Sequence, residues 1–262
     1  MAAKETEAII LRCWPLDEAD KIVSFFARSE GRMRGVAPYA RRSVKRFGAS
    51  LEMLTQVRLR YVDKSRGGLV RIESCELVES FCGARPGYEQ IVGGSCISEV
   101  CELLLPEQEA NEPFFRLTLL AIQEMGRPEI GRQEMGLKSS SGGDIWRPLT
   151  YFDLWAVRLA GFLPPLNECI RCHAEIAAEE PSWFRPQWDG LLCRNCRGEE
   201  CWALAPASRA MARKMLAAPL KDIAPEGWAK GTAEDLRRFL GQQMERHLER
   251  KLVTRSQLDE LA

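Results

Sequence analysis

The carboxy-terminal half of the chain contains two C-x-x-C pairs, Cys169 with Cys172 and Cys193 with Cys196, with 20 residues between them. Each pair can place its two thiolates on the same side of a tight turn. Four thiolates at the corners of a tetrahedron are the closed ligand set of a structural zinc site. The spacing therefore predicts one structural zinc ion bound by these four residues, which we call the cysteine cluster.

Other interpretations of the cysteine cluster are open. The pairs could be unrelated reduced thiols, or one could be a redox pair, although no strand-helix-strand pattern surrounds either of them. His173-Ala174-Glu175 followed by Cys193 and Cys196 also resembles the two halves of a zinc nucleobase deaminase signature. A site closed by four thiolates leaves no position for a reacting water, which argues against a catalytic metal. His173 could also compete with Cys172 as a ligand.

The composition predicts a folded protein. The chain has 262 residues, 45% of them apolar, which is enough for one large domain or a few small modules. No apolar stretch approaches the roughly 20 residues that cross a bilayer, and we see no export signal, so we expect a cytoplasmic protein without disulfides. Five further cysteines are scattered among apolar neighbours and are expected to be buried thiols: Cys13, Cys75, Cys82, Cys96 and Cys101.

A basic segment near the amino terminus is the second feature that could carry chemistry. Residues 1–80 hold 15 basic and 11 acidic side chains, although the whole chain has zero net charge. Between Gly31 and Leu51 there are six basic residues and no acidic one, and Tyr39 and Phe47 could offer stacking surfaces for bases. We predict a DNA-binding surface, with a merely solvated face as the alternative. The predicted contacts are Arg32, Arg34, Arg41, Arg42, Lys45, Arg46, Arg58, Arg60, Lys64 and Arg66.

Short alternating apolar segments predict the elements that carry this surface. They span 8–13, 21–28, 32–37, 51–62 and 69–77, and turn residues separate them. Five short strands in succession are typical of a small barrel or sandwich, and such barrels are a common platform for single strands.

Beyond Pro86 the apolar residues recur with the helical period. The glycine- and serine-rich stretch 126–143 predicts a flexible linker, and helices are expected at 144–161, 208–216 and 232–252. The predicted organisation is an α+β chain of several modules. It has a barrel at 1–80, a helical domain at 81–166 and 202–262, and a zinc module at 167–201 inserted into that domain.

Phrases spread over nearly the whole chain carry a resemblance. The segments at 5–11, 17–23, 31–37 and 69–71, Arg41-Arg42 and the later cysteine cluster with Asp189-Gly190-Leu191-Leu192 are similar to the bacterial DNA repair protein RecO family. The resemblance implies a five-stranded OB-fold barrel, an α-helical domain and an inserted four-cysteine zinc finger. It further implies a nucleoid-associated mediator of recombination that binds single- and double-stranded DNA and anneals complementary strands. The implied partners are RecR, the C-terminal tail of single-stranded DNA-binding protein and, indirectly, RecA.

No enzyme activity is expected, because base pairing itself drives annealing and no P-loop motif for ATP occurs. The alternative is a zinc-containing adaptor that binds proteins but not DNA. Basic residues of the helical domain are candidates for the acidic tail of single-stranded DNA-binding protein: Arg116, Arg158, Arg209, Arg213 and Lys214. Those of the zinc module could contact DNA: Arg171, Arg185, Arg194 and Arg197.

Overall fold

The structure is a computed structural model, and it describes residues 3–42, 44–63, 68–80, 87–127, 145–186 and 188–261, without the side chains of 44 and 45. The chain divides into two compact units, 1–143 and 144–262. In the part of the chain that is described, no helix is long and apolar enough to cross a membrane. The predicted linker at 126–143 lies almost entirely outside the described residues.

The first unit begins with a closed five-stranded barrel in the order β1-β2-β3-β5-β4, which confirms the predicted OB-type fold. A four-residue helix, α1 at Val44–Phe47, and a 3-10 turn at Gly48–Leu51 connect β3 to β4. The strands are β1 at Ala3–Pro15, β2 at Lys21–Ala27, β3 at Gly31–Ala37, β4 at Thr55–Val62 and β5 at Leu69–Ser80.

The barrel closes because β3 pairs in parallel with β5, whereas the other pairs are antiparallel. At this junction a Cβ on Gly35 would lie 2.9 Å from side-chain atoms of Val70 and Ile72, so glycine permits the close approach of the two strands. Alternate residues of every strand point inward and are buried, as strand geometry requires. Phe47 and Leu51 contribute to the same core.

Two helices of the first unit pack against the outside of the barrel: α2 at Tyr88–Leu104 and α3 at Glu112–Gly126. Phe26 of β2 makes edge contacts with Phe114 and Phe115 of α3, at ring-centroid distances of 6.4 and 5.3 Å. Ser98 Oγ of α2 donates a 2.7 Å hydrogen bond to the carbonyl of Leu11. Helices α2 and α3 thus belong to the same compact unit as the barrel, whereas the sequence pattern predicts them as part of the helical domain.

The second unit is a helical body that carries the segment with the cysteine cluster. Its helices confirm those predicted at 144–161 and 208–216, whereas the segment predicted at 232–252 is helical only to His247 and a further helix begins after residue 252. Two short strands, β6 at Ser182–Phe184 and β7 at Trp202–Leu204, pair antiparallel at the edge of the cysteine segment. The helices are α4 at Trp146–Leu159, α5 at Pro206–Ala217, α6 at Glu234–His247 and α7 at Val253–Asp259.

Candidate metal centre and nucleic-acid surface

The four predicted ligands converge on one point. The sulfurs of Cys169, Cys172, Cys193 and Cys196 all lie within 4.8 Å of one another. The Cys172 and Cys193 sulfurs, which come from different pairs, are 3.8 Å apart. Cys169 is buried and Cys172 is exposed, so the cluster lies at the surface with one side packed against protein. Four sulfur donors at these separations can hold one metal ion.

Backbone hydrogen bonds shape both turns of the cluster. The His173 amide donates to the carbonyl of Cys169 at 2.8 Å, and His173 itself has a left-handed φ of 59°. In the second turn the amides of Cys196 and Arg197 both donate to the carbonyl of Cys193, at 3.1 and 3.0 Å. The two turns are therefore built locally, which is why the C-x-x-C spacing alone could predict them.

The thiols of the cluster differ in acidity. Burial works to raise the pKa of Cys169, but amides of Cys193, Cys172 and Arg171 donate to its sulfur and lower the pKa below the ordinary value. For Cys196 the hydrogen bond with the Cys172 thiol is the largest cause and raises the pKa. Amide donors thus favour a thiolate at Cys169, while crowding of sulfurs opposes a second negative charge. A cation among the four sulfurs resolves that repulsion.

His173 does not belong to the group of converging ligands. Its Nδ1 lies 2.7 Å from a carboxylate oxygen of Glu168, and its side chain is 77% exposed. The metal-binding group consists of the four sulfurs, so the three-ligand arrangement of a deaminase, with one position left for water, is not what the geometry provides.

A buried arginine anchors the cysteine segment to the helical body. Arg209 of α5 is 1% exposed, and its guanidinium donates to main-chain carbonyls of the segment 166–180. Desolvation lowers the pKa of Arg209, but guanidinium groups stay charged under all ordinary conditions. Arg209 had been a candidate for binding an acidic partner, and its burial leaves it no such role. Its acceptors are Leu166 at 3.1 Å, Ile176 at 3.3 Å, Ala177 at 2.5 Å, Ala178 at 3.4 Å, and Glu180.

The charges of the cysteine segment do not favour DNA. Residues 167–201 hold four arginines against seven acidic residues, and four thiolates around a divalent metal add further negative charge. The Arg197 guanidinium lies 4.6 Å from the centroid of the Trp183 ring, and that of Arg185 lies 5.3 Å from the ring of Trp188. These arginines pack over aromatic rings of their own module, where the cation–π contacts stabilise its fold.

The scattered cysteines that the structure describes differ from the cluster. Burial raises the pKa of Cys13 and Cys75 to about 11 and that of Cys101 to about 12. Such thiols are poor metal ligands at neutral pH because they stay protonated. Cys82 lies outside the described residues, and Cys96 is partly buried on α2.

The structure divides the predicted DNA contacts into three groups, and the first is Arg32. This side chain is 11% exposed, its Nε donates to the carbonyl of Leu105 at 2.9 Å, and its guanidinium lies 3.1 Å from Glu107 and 3.6 Å from Glu102. It ties β3 to the end of α2 and the turn that follows. The Arg32 guanidinium thus lies against protein acceptors, which leaves little of it accessible to a phosphate.

Arg58 and Arg60 of β4 form the second group, and both lie between acidic neighbours. Arg58 stands opposite Glu7 on β1 and Glu76 on β5 in the strand register, and its nearest carboxylates are Glu5 at 3.4 Å and Glu76 at 3.5 Å. Arg60 pairs with Glu73 at 3.4 Å. We call Arg58, Arg60 and their acidic neighbours Glu5, Glu7, Glu73 and Glu76 the charge ladder. Its alternating signs reduce the local positive potential, although each arginine is more than half exposed.

The third group lies where β3 ends and passes to α1. Arg41 and Arg42 are exposed in the loop after Tyr39, and Arg34 is 46% exposed on β3, with carboxylates no nearer than 3.8 Å in the described structure. Arg46 lies close by in sequence, with Nε donating to the Glu73 carbonyl at 2.6 Å. The side chain of Lys45, and Lys64 and Arg66 altogether, lie outside the described residues.

The open part of the β2–β3 face adds residues that the sequence analysis missed. Helix α3 covers this face at Phe26, whereas Ile22 and Val36, opposite each other in the register, are partly exposed near its other end. Arg71 of β5 is exposed and pairs with Val36 in the β3–β5 register. The alternation of inward and outward side chains along β5 could have identified Arg71 as an exposed residue. We call Arg34, Arg41, Arg42 and Arg71 the open basic edge.

Comparison with known families relates both the barrel and the cysteine segment to one protein family. Residues 1–81 match the family described as Recombination protein O N terminal, and residues 85–256 match Recombination protein O C terminal. A DNA repair protein RecO of Koribacter versatilis is 42% identical over 98% of this chain and 99% of its own length. Relatives of the same name from Nocardioides sp. and Symbiobacterium thermophilum are 31% and 26% identical over 80% and 100% of this chain. This chain therefore belongs to the RecO family of DNA repair proteins.

Proposed function

We propose that this protein is a recombination mediator that binds single- and double-stranded DNA without sequence specificity and anneals complementary strands. Membership of the RecO family supports the general role in DNA repair. The single observation that carries DNA binding is the open basic edge on an OB-type barrel. Its Arg41 and Arg71 form no ion pair with a described carboxylate, whereas both arginines of the charge ladder do. In OB-folds the face of strands 2 and 3 is the usual platform for oligonucleotides.

The ion pairs at the open basic edge are weak enough to yield to phosphate. Arg42 lies 3.5 Å from Glu18, and the two side chains are 64% and 93% exposed. Exposed pairs of this kind contribute only about 0–1 kcal/mol. Arg41 donates to the main-chain carbonyl of Asp17 at 2.6 Å through one nitrogen, which leaves other N–H groups of its guanidinium for a ligand.

Annealing needs no catalytic residue in this mechanism. Two complementary strands repel each other through their phosphates, and arginines that bind the backbone reduce this repulsion while the base edges stay accessible. Base pairing then supplies the driving force. The protein accordingly acts by binding, without making or breaking a covalent bond.

The experiment compares two matched double variants. Arg41→Ala with Arg42→Ala removes two charges from the open basic edge, and Arg58→Ala with Arg60→Ala removes two similarly exposed charges from the charge ladder. We expect the first to weaken binding of a labelled single strand at least roughly tenfold, since one charged hydrogen bond contributes about 1.5 kcal/mol or more. We expect the second to bind and anneal nearly as the unaltered protein does. Equal losses would move the DNA surface elsewhere, and an unaltered protein that ignores DNA would favour the adaptor.

We also propose that the cysteine cluster holds one zinc ion with a structural role. The ligand set supports zinc because four thiolates prefer it over harder divalent ions, and all four positions of a tetrahedron are filled by protein. The buried apolar side chains of the segment, besides Cys169, are Ile176, Trp183, Phe184, Leu191 and Leu192, so the metal would add to what a small hydrophobic core contributes. We propose that residues 167–201 form a zinc module inserted into the helical domain.

The proposed partners follow from the family. They are RecR, the C-terminal tail of single-stranded DNA-binding protein, and RecA, which the mediator helps to load onto coated DNA in the cytoplasm at the nucleoid. For the acidic tail, the candidates that the structure leaves exposed are Arg116, Arg158, Arg213 and Lys214. Pull-down with a peptide of acidic and apolar residues, compared between single alanine variants of these four, tests the assignment.

A further inference from the structure

Tyr39 is an exposed aromatic residue in the middle of the open basic edge. Its side chain is 59% exposed, although the residues on either side turn inward: Pro38 is buried and Ala40 packs against the barrel core. Its φ of 59° lies in the left-handed region, which is uncommon for a bulky residue. A conformation of this kind persists only when neighbouring groups hold it.

The loop between β1 and β2 supplies the groups that hold Tyr39. The Tyr39 amide donates to a carboxylate oxygen of Asp20 at 2.8 Å, and the amide of Arg41 donates to the carbonyl of Ala19 at 2.9 Å. Asp17 in turn accepts from the amides of Ala19 and Asp20 at 2.8 and 2.7 Å. We call these contacts the loop latch. They fix the backbone that carries the tyrosine ring.

The basic segment 31–51 has one other aromatic residue, Phe47. It is 3% exposed inside the barrel core, and the Arg46 guanidinium lies 5.2 Å from its ring centroid. Tyr39 is therefore the exposed ring of this segment, two residues before Arg41 in the same loop. A partly exposed ring, that of Trp14 on β1, lies opposite Ile22 in the strand register.

We propose that Tyr39 stacks on an unpaired base and makes this surface prefer single-stranded over double-stranded DNA. The proposal rests on the proposed DNA-binding function and deepens it. Arginines bind phosphates of either form, whereas an aromatic ring can stack only on a base that has left its own stack. The loop latch holds the backbone of Tyr39 in place before binding, so little backbone entropy is lost on contact.

The test uses the full-length protein with two single-stranded probes of equal length, oligothymidylate and an abasic strand that has the same phosphates but no bases. Tyr39→Ala should weaken binding of oligothymidylate roughly fivefold or more, the lower end of what stacking on one base contributes. Its binding of the abasic strand and of a duplex should stay unchanged. Tyr39→Phe keeps the ring and should behave as the unaltered protein. Tyr88→Ala is the matched control, because Tyr88 is 67% exposed at the start of α2.

The outcomes separate the two proposals. If the unaltered protein binds neither probe, the proposed DNA-binding function fails. If it binds both and Tyr39→Ala weakens both equally, or neither, then the stacking role is wrong while DNA binding stands. Thermal unfolding of each variant shows whether a loss reflects a disturbed barrel, and a normal melting temperature for Tyr39→Phe with reduced binding would also contradict stacking.

Discussion

The cysteine cluster and the basic surface of the barrel, to which the two proposed functions are assigned, are built in opposite ways. Every ligand of the cluster lies within a short stretch, and the turns that aim the sulfurs are closed by hydrogen bonds within that stretch. The basic surface is assembled from strands and loops whose counter-charges come from distant parts of the chain. A local site keeps its chemistry when the chain folds, whereas a distributed surface is changed by what folds against it.

The arginines show this difference most clearly. Arg32 and Arg34 are two residues apart on β3 and share a face, yet Arg32 is 11% and Arg34 46% exposed, because the end of α2 and the following turn cover Arg32 far more completely. Counting charges in the sequence treats them as equal. The candidate ligands of the cysteine segment do not become unequal in this way, because the turns themselves bring the four sulfurs together.

Loss of a cluster ligand has the largest expected effect. Cys169→Ser should release the ion and lower the free energy of unfolding of the second unit by more than about 5 kcal/mol, because zinc contributes roughly 10–16 kcal/mol to the folding of isolated finger peptides. Cys201→Ser is the control, since Cys201 follows the cluster but does not belong to it. Metal analysis and thermal unfolding measure both. Full metal content in Cys169→Ser would contradict the four-thiolate site.

Arg209 tests whether the cysteine segment depends on the helical body as well as on metal. Arg209→Met removes the donors from five buried or partly buried carbonyl contacts and should cost about 3–5 kcal/mol, as loss of one partner of a buried charged network does. Arg213→Met, one turn further along α5 and exposed, should cost less than about 0.5 kcal/mol. Urea unfolding of the two variants gives the difference. Equal stability would mean that the cysteine segment holds itself without α5.

The salt dependence of DNA affinity tests the difference between the open basic edge and the charge ladder. Each phosphate neutralised on a single strand contributes about 0.7 to the slope of log affinity against log salt, so removing Arg41 and Arg42 should reduce that slope by about 1.4. The charge-ladder variant at Arg58 and Arg60 should leave it unchanged. Titrations at several salt concentrations measure both. A reduced slope in the ladder variant would show that phosphates displace the cross-strand carboxylates.

Much of the fold could be predicted because its signals are local. The alternation of apolar residues indicated all five barrel strands, and glycine and proline marked their ends. The association of α2 and α3 with the barrel could not be read in the same way, since it depends on side chains far apart in sequence. One signal was present: Ala8, Ile9, Ile10 and Leu11 are consecutive apolar residues, all fully buried, so β1 is covered on both faces.

The candidate site was predictable to the same extent. The metal ligands required only spacing, and the structure confirms their convergence. The burial of Arg209 was not predicted, although Ala212 and Met215 follow it at helical spacing and are both fully buried, which places Arg209 on the apolar face of α5. The contacts of the loop latch that join the two loops had no sequence signal, because the Tyr39 and Arg41 amides bond to groups about 20 residues earlier in the chain. The hydrogen bonds within the first loop are an ordinary use of Asp17 in a turn.

The smallest expected effect concerns the loop latch and pH. Hydrogen bonds from the amides of Asp20 and then Ala19 hold the pKa of Asp17 below its usual range. A carboxyl whose pKa is lower in the folded state stabilises that state above its unfolded pKa, roughly pH 4, and this contribution disappears as the pH falls through the folded pKa. Asp17→Asn should therefore lower the melting temperature of the first unit slightly at pH 7, and the difference from the unaltered protein should vanish toward pH 3. Glu18→Gln, in the same loop and almost fully exposed, is the control and should leave the melting temperature at pH 7 unchanged. A constant difference at all pH values would mean that the Asp17 side chain acts by shape and not by charge, and the loop that positions Tyr39 would then be insensitive to acid.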